Sequence, residues 1–444
     1  MNKDYRLSSY TIVTELDHEP DCACMIHGYT GAIDVVNKDI VAFLESHNIF
    51  KKSDIPCSET TQETLEKRGY ITTRTAKEET EYVEQFAKAL FKKETILGSG
   101  FTVVMSYDCN FCCPYCFEKG IRRDTTTFTH EMTDKLYQTI ETIAPDKKLR
   151  SNEITLYGGE PLMKENKEAV TYFIKRGKEL GFTFSAITNG YDLNHYEDLL
   201  ENIRFVQITI DGVRERHNAR RLHCRAIPTF DKIVENIGLA LEKGVKVAVR
   251  VNTDRDNIDD IKKLNSMFDE LHYNGNKLFS MYSARLQDYS EGEKSEYKYL
   301  AQTEYVQKLD KLDLGYICQD YGLSNKISSA INNGKPLLFR STYCNSQTKG
   351  FVLDPLGYIY PCWEVVNRKE HRLGCYKGDE IIWNNEIMDM WRKCILLEKD
   401  CIKCKYALLC SGGCPAARLK SNRCLRMEDL IRTSVNKAFK TQKK

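Results

Sequence analysis

FTVVMSYDCNFCCPYCFEKG, residues 101–120, joins an apolar run to three cysteines, Cys109, Cys113 and Cys116, in the spacing C-x3-C-x2-C. The run is short enough to be a buried strand. The loop after it offers three thiolates, whereas a closed zinc site takes four protein ligands. A cubane of four irons and four sulfides accommodates three thiolates and leaves its fourth iron for a small molecule, which is a catalytic arrangement. Tyr115, between the second and third of these cysteines, sets an aromatic ring beside that iron, where it can stack on a flat ligand.

Downstream to residue 290 the pattern strand, loop, helix recurs. Apolar runs at Phe101–Met105, Ile154–Tyr157, Phe182–Ile187, Phe205–Ile210, Val245–Val251 and Phe279–Tyr282 read as strands. Between them lie helical faces such as Val170, Phe173, Ile174 and Gly177, ending at Gly181, and Ile233, Ile237 and Leu241, ending at Gly244. Such alternation predicts an α/β fold with a parallel sheet, and six units predict a partial, TIM-like (β/α)6 barrel. In parallel barrels the chemistry sits at the C-terminal strand ends. There the sequence places Gly158-Gly159-Glu160-Pro161 after strand two, Thr188-Asn189-Gly190 after strand three, and Asp211-Gly212 with Arg220 and Arg221 after strand four; Arg250 and Asn252 end strand five. Glycines allow close backbone approach, the Glu160 carboxylate suits an amine, and an arginine clamps a carboxylate in two-pronged fashion. Together they describe a ligand with an amine, a carboxylate, a sugar and a flat base.

The cysteine loop ending in Tyr115-Cys116, followed by Gly-Gly-Glu-Pro, resembles the radical S-adenosylmethionine (SAM) superfamily. The resemblance implies that Cys109, Cys113 and Cys116 hold a cubane whose fourth iron is chelated by the amino acid end of S-adenosyl-L-methionine. It further implies reductive cleavage of that cofactor to a 5'-deoxyadenosyl radical, which abstracts hydrogen from a substrate. By position, Gly158, Gly159 and Glu160 match the motif near the cofactor amine, Thr209 the hydroxyl two residues before Asp-Gly, and Arg221 the carboxylate-binding arginine, with Arg220 one residue off. Cys112, inside the first spacer, is expected not to be a ligand.

A second group of cysteines closes the chain: Cys344, then Gly357 and Cys362; Cys401, Cys404, Cys410 and Cys414 in C-x2-C-x5-C-x3-C; then Cys424. Paired zinc knuckles would require eight ligands, and no His stands at a ligand spacing to complete them. The pattern is similar to the SPASM extension of radical SAM enzymes that modify peptides. The similarity implies one auxiliary cluster on Cys401, Cys404, Cys410 and Cys424 and a second on Cys344, Cys362 and Cys414, so that three 4Fe-4S clusters are expected in all. Cys318, Cys375 and Cys394 are candidates for a fourth ligand of the second, with Cys375 in HRLGCYKGDE favoured.

Residues 1–95 read as a separate module. Tyr10–Leu16 and Met25–Tyr29 suggest strands, Lys38–Ser46 a helix, Thr60 to Gly69 a second helix opening on a Thr60/Glu63 capping box, Tyr70–Thr73 a strand, and Lys77–Lys92 a third helix. That order suits a winged-helix-like topology able to accept an extended peptide by strand addition. DNA binding is the competing use, and helices carrying Glu as often as Lys weigh against it. Residues 96–290 then form the barrel, 291–343 a connection with a helix over Glu293–Leu312, and 344–444 the SPASM region; the tail KTQKK is a solvated charge run.

The rest of the 444 residues bounds the function. A formal charge of +2, 41% hydrophobic and 29% charged residues, and no long apolar run predict a globular, cytoplasmic protein with neither nucleic acid nor membrane as partner. Eighteen cysteines without an export signal are expected to be reduced, many of them as ligands. These parts resemble maturases of ribosomally made peptides. The implied partners are a precursor peptide with a leader and an external electron donor of flavodoxin or ferredoxin type, and the implied product is an intramolecular cross-link, thioether before carbon–carbon. A sulfatase-maturing enzyme that makes formylglycine is the alternative within the superfamily, and an iron–sulfur or zinc DNA-binding regulator the alternative outside it.

Overall fold

The computed structural model describes residues 3–96, 98–116, 118, 124–286, 299–421, 424 and 427–442. They fall into two compact units, one of residues 1–96, 320–344 and 394–444, the other of residues 97–319 and 345–393.

The second unit is built on one sheet. Its parallel strands are β7 (Ser99–Ser106), β8 (Arg150–Gly158), β9 (Thr183–Thr188), β10 (Ile203–Thr209), β11 (Lys246–Thr253) and β12 (Phe279–Arg285), each beside the next. All six lie where apolar runs predict them. The helices α4 (His130–Ile143), α5 (Lys167–Glu179), α6 (Arg214–Arg220), α7 (Phe230–Glu242), α8 (Ile261–Glu270) and α9 (Gln302–Lys311) alternate with or follow them. The helix expected from Glu293 begins at Gln302, and its predicted first residues lie outside the described ones.

Alternation along each strand sorts side chains onto two faces. Val103 and Met105, Leu156, Ala186, Val206 and Ile208, and Val247 and Val249 pack with Leu136, Phe173, Ile237 and Leu264 of the helices into the main core. The opposite face is more polar: Gln207 accepts a hydrogen bond from Tyr282 Oη at 2.6 Å, and the Thr155 and Ser185 hydroxyls meet at 3.1 Å. Burying the apolar face under helices leaves this polar face to line the concave side of the partial barrel.

The sheet does not stop at six strands. β13 (Gly350–Leu353) pairs parallel to β7, with Gly350 opposite Gly100, and β14 (Tyr358–Tyr360), β15 (Gly374–Cys375) and β16 (Ile382–Trp383) extend it antiparallel to ten strands. Behind it, α11 (Asn385–Trp391) leads to Arg392, whose guanidinium donates to the carbonyls of Ser346 at 2.8 Å and Gly350 at 2.7 Å.

In the first unit, β2 (Thr11–Glu15), β3 (Cys22–His27) and β4 (Ile33–Asn37) form an antiparallel sheet, and β1 (Asp4–Leu7) joins β5 (Phe50–Lys51) to β6 (Ile71–Thr72). Helices α1 (Lys38–Ser46), α2 (Glu59–Lys67) and α3 (Ala76–Ile96) follow. The N-cap of α2 is Ser58, whose hydroxyl accepts from Thr61 N at 3.2 Å, in place of the expected Thr60/Glu63 box, because the cap lies two residues before Thr60. Three further segments complete this unit: α10 (Leu323–Asn333), the cysteine-bearing helices α12 (Lys399–Ile402) and α13 (Ala407–Cys410) with α14 (Pro415–Ser421) after them, and α15 (Met427–Gln442).

Residues 1–96 share their core with these later segments. Ile12, Leu16, Cys24 and Ile26 pack with Leu323, Ile327, Leu430, Ile431 and Val435. Val83 and Ala87 of α3 pack with Cys394, Leu396, Ile402 and Leu408, and Tyr10 Oη donates to the Ile402 carbonyl at 2.7 Å. Glu94, near the end of α3, accepts from Ser341 N at 2.9 Å, Ser341 Oγ at 2.9 Å and Thr342 Oγ1 at 2.7 Å, which fixes the segment leading to Cys344.

Candidate active site

Strand β7 ends at Ser106 and delivers the cysteine loop to the C-terminal edge of the sheet. Its root is held by the next strand: Gly159 N donates to Ser106 O at 3.0 Å and Glu160 N to Asp108 O at 2.9 Å. Gly158 has φ +131°, and a Cβ on Gly159 would collide with the Asp108 carbonyl, 2.7 Å from its carbon. The Gly-Gly pair therefore brings β8 against the cysteine loop, where the amides of Gly159 and Glu160 are engaged.

Glu160 is buried, and its carboxylate accepts from Leu162 N at 2.9 Å, Thr188 Oγ1 at 2.5 Å and Asn189 N at 2.6 Å. Burial pushes the carboxyl up to about 7, opposed by these donors. The carboxylate expected to face an amine thus organises the turn after β9. Asn189 Nδ2 continues the chain of contacts to Asn110 Oδ1 at 2.7 Å inside the cysteine loop, and Asn110 Nδ2 donates to Asp192 at 3.1 Å.

A second set converges from β10 and β11. Tyr115 Oη donates to Asp211 Oδ2 and accepts from Arg221 Nη1 at 3.2 Å. Asp211 Oδ1 accepts from Asn252 N at 3.0 Å. Arg220, one residue before Arg221, has its shortest contacts elsewhere, Nη1 donating to Asp254 at 2.7 Å and Nη2 to the Asn252 carbonyl at 3.3 Å, while its Nε stands 3.8 Å from Asp211 Oδ2 and its guanidinium 5.2 Å from the Tyr115 ring centre. Thr209 stands opposite Arg250 in the sheet register, and Arg250 Nε donates to Asn252 Oδ1 at 2.9 Å. Of the predicted residues, Tyr115, Arg221, Arg250 and Asn252 are drawn into one polar network through Asp211, which the sequence places after strand four without a role of its own. Glu160 and Asn189 form the adjoining one.

Cys109, Cys113 and Cys116 share the loop at the head of both networks. Cys109 Sγ accepts from Phe111 N at 3.3 Å, and Cys116 N donates to Cys113 O at 3.1 Å. Burial raises the Cys109 thiol and pushes Cys116 up to about 12, so bare thiolates are disfavoured and a cation is the partner that would hold them ionised. Among the described residues no three His, Cys, Asp or Glu side chains converge as ligands of a single ion would. A cubane presents separate irons at its corners and does not require such convergence. Arg221 Nε is buried with no hydrogen-bond partner, a donor suited to an incoming carboxylate. The donor set and this orphaned guanidinium atom fit a cubane with an amino acid chelate.

The expectation of reduced cysteines fails at one place. Cys112 is not a spare thiol but is disulfide-bonded to Cys224, its Cα 5.5 Å away. An antiparallel bridge between Phe111 and His223 brings them together, a pairing that no spacing in the sequence announces.

In the first unit, Cys401, Cys404, Cys410 and Cys424 are brought together, the other three each raising the Cys410 thiol, which burial pushes up to about 12. Arg418 Nη1 donates to Cys401 Sγ at 3.3 Å and to the Gly412 carbonyl at 2.9 Å. Cys344 and Cys414 both lie near Tyr343 in this unit, while Cys362 belongs to the second. Of the fourth-ligand candidates, Cys318 and Cys394 are buried in apolar cores and Cys375 is half-buried on β15.

Comparison with known proteins agrees with this geometry. The radical SAM superfamily profile matches residues 103–267. A cysteine-type anaerobic sulfatase-maturating enzyme of Clostridium perfringens is 26% identical over 339 residues, covering 70% of this chain and 87% of the relative; a Clostridium novyi enzyme of the same description is 24% identical over 335 residues, covering 70% and 85%. Among solved structures, native anSMEcpe with bound AdoMet and Cp18Cys peptide superposes with TM-score 0.56 at 21% identity, over 78% of this chain and 96% of the other. Streptococcus suis SuiB bound to precursor peptide SuiA superposes with TM-score 0.52 at 14% identity, over 94% and 97%. The latter two likenesses concern the fold. The strand order, the cysteine loop at its edge and the profile match make this chain a radical SAM enzyme, with its radical SAM domain at residues 103–267.

Proposed function

We propose that this radical SAM maturase acts on a ribosomally made precursor peptide and installs an intramolecular cross-link, a thioether in preference to a carbon–carbon bond. The observation that carries the peptide reading is the edge of β4. Among the named strands β4 pairs only with β3, and its Val35 is exposed. Such an edge accepts an extended leader by strand addition. The likeness in fold to SuiB, solved with its precursor peptide, supports this reading.

The bound cubane and S-adenosyl-L-methionine would supply a 5'-deoxyadenosyl radical capable of abstracting a hydrogen atom. We assign Cys109, Cys113 and Cys116 to hold the cluster. Arg221 orients the cofactor carboxylate and is itself steadied by Tyr115; Glu160 fixes the Asn189 turn, and Gly158 and Gly159 let β8 support the loop. Thr209, Arg250 and Asn252 line the strand ends beside it. Loss of two hydrogens from the peptide leaves electrons to be accepted, and Cys401, Cys404, Cys410 and Cys424 are the residues we assign to an accepting auxiliary cluster. A flavodoxin- or ferredoxin-type donor supplies the starting electron.

Formylglycine formation is the second reading, favoured by the likeness to sulfatase-maturating enzymes over most of their length. Anaerobic reaction with candidate cysteine-containing precursor peptides, with and without their leaders, separates the two. A product two hydrogens lighter, formed only with the leader attached, is expected. A product that has lost its cysteine sulfur and gained an aldehyde, or equal turnover of the leaderless core, overturns the proposal.

A further inference from the structure

The Cys112–Cys224 pair belongs to none of the roles above, yet it sits on the most demanding loop of the protein. Cys112 precedes Cys113 directly and follows Cys109 by three residues; Cys224 follows Arg221 by three. Two backbone hydrogen bonds hold the strips side by side, Cys112 N to Leu222 O at 2.7 Å and Cys224 N to Asn110 O at 2.9 Å, flanking the Phe111–His223 bridge. The Cα separation of 5.5 Å is the usual one for a disulfide, so neither backbone need move for the bond to form or open. Both residues are exposed, whereas Cys109, Cys113 and Cys116 are half-buried. Small thiols and dithiol proteins can therefore reach this pair without entering the cluster site.

We propose that Cys112 and Cys224 are a reversible redox modification site, a dithiol–disulfide couple that straps the cysteine loop to the segment behind Arg221. In the oxidising direction a Cys112 or Cys224 thiolate attacks a low-molecular-weight disulfide, giving a mixed disulfide and one released thiol. The second cysteine displaces the other thiol and closes the bond. Two protein thiols lose two electrons and two protons, and one external disulfide becomes two thiols. A reduced dithiol of the thioredoxin class reverses the exchange.

The strap joins the element that carries the cluster ligands to the element that carries Arg221. When closed, it holds the loop in register even if the cluster is lost, and it prevents Cys112 from pairing with Cys113 or Cys116. When open, the loop is tied to residues 222–224 by two backbone hydrogen bonds and the edge-to-face contact of Phe111 with His223, with no covalent link. The strap therefore governs how readily iron leaves and how faithfully it returns. This holds whichever peptide the enzyme modifies; it rests on the assignment of Cys109, Cys113 and Cys116 to a cluster only for the iron readout.

The test uses the full-length reconstituted protein in buffers of graded glutathione or dithiothreitol ratio, quenched by alkylation and digested without reduction. Expected is a single transition, from alkylated Cys112 and Cys224 to one linked peptide pair, in folded holoprotein with unchanged iron content. Cys224→Ser abolishes the transition, and its iron passes to a chelator several-fold faster than that of oxidised wild type. Cys112→Ser behaves alike. The proposal is overturned if folded holoprotein yields no linked pair under the most oxidising ratio, if Cys112 is found joined to Cys113 or Cys116, or if wild type and both variants release iron equally fast. Mass analysis decides the first two outcomes independently of any effect of the substitutions on folding.

Discussion

Glu160 accepts the backbone N–H of Asn189 at 2.6 Å, so the turn after β8 and the turn after β9 are fastened to each other by one buried carboxylate. Burial pushes this carboxyl from 4.5 to about 7. Between those values the native chain keeps a proton that the unfolded chain gives up. Stability should therefore fall as pH rises from about 4.5 to about 7, and level off above. Glu160→Gln should remove that slope while leaving a donor facing donors, at a cost of about 1–3 kcal/mol in urea unfolding. An unchanged slope in the variant would show that other groups set it.

Arg221 and Arg220 are neighbours with different duties, and substitution should separate them. Arg221→Ala should weaken S-adenosyl-L-methionine binding roughly tenfold to a hundredfold, the worth of a charged hydrogen bond, with cluster content retained. Arg220→Ala strips the buried Asp254 of its 2.7 Å partner and should cost about 3–5 kcal/mol of stability instead. Calorimetric titration and thermal unfolding of both variants check the assignment; the reverse pattern would exchange the two roles.

Gly159→Ala should displace the root of the cysteine loop, because the added methyl meets the Asp108 carbonyl. Iron content after reconstitution should drop by about four per chain, one cubane, while the signals of the auxiliary cysteines persist. A total near twelve in wild type, as expected of three cubanes, is the companion measurement.

Arg418 donates to Cys401 Sγ at 3.3 Å, and if Cys401 holds the proposed auxiliary cluster, a cation beside that sulfur would stabilise the reduced, more negative state. Arg418→Gln should lower the midpoint potential of the auxiliary centre. A charge-assisted hydrogen bond of about 1.5–3 kcal/mol corresponds to roughly 60–130 mV for one electron. Potentiometry followed by electron paramagnetic resonance reads the shift; no change would detach Arg418 from the cluster.

The barrel was legible because buried parallel strands leave continuous apolar runs and their helices keep a 3.6-residue stripe: Val245–Val251 and Ile233, Ile237, Leu241 announce β11 and α7 outright. Cysteine spacing announced the loop after β7 and the group around Cys410. Hidden were the relationships that depend on distant partners. The lysine- and glutamate-rich α3 gives no sign that Glu94 secures Ser341, nor does Asp211 advertise that it receives Tyr115. Gly-Gly-Glu stands at the end of β8 as its spacing predicts, but a motif does not show that the Glu160 carboxylate also accepts from Thr188 and Asn189 of the next turn. The edge strand β4 escaped notice because IDVVN is half exposed and lacks a strong alternation.

β7 lies between β8, made some fifty residues later, and β13, made after residue 349. A ribosome that has completed the six barrel strands has thus produced a sheet whose first strand still lacks its second neighbour. Until Gly350–Leu353 emerge, that strand presents an unpaired ladder able to recruit a foreign chain. Completion of the barrel is a late event in synthesis, and chains truncated ahead of β13 are the ones expected to aggregate.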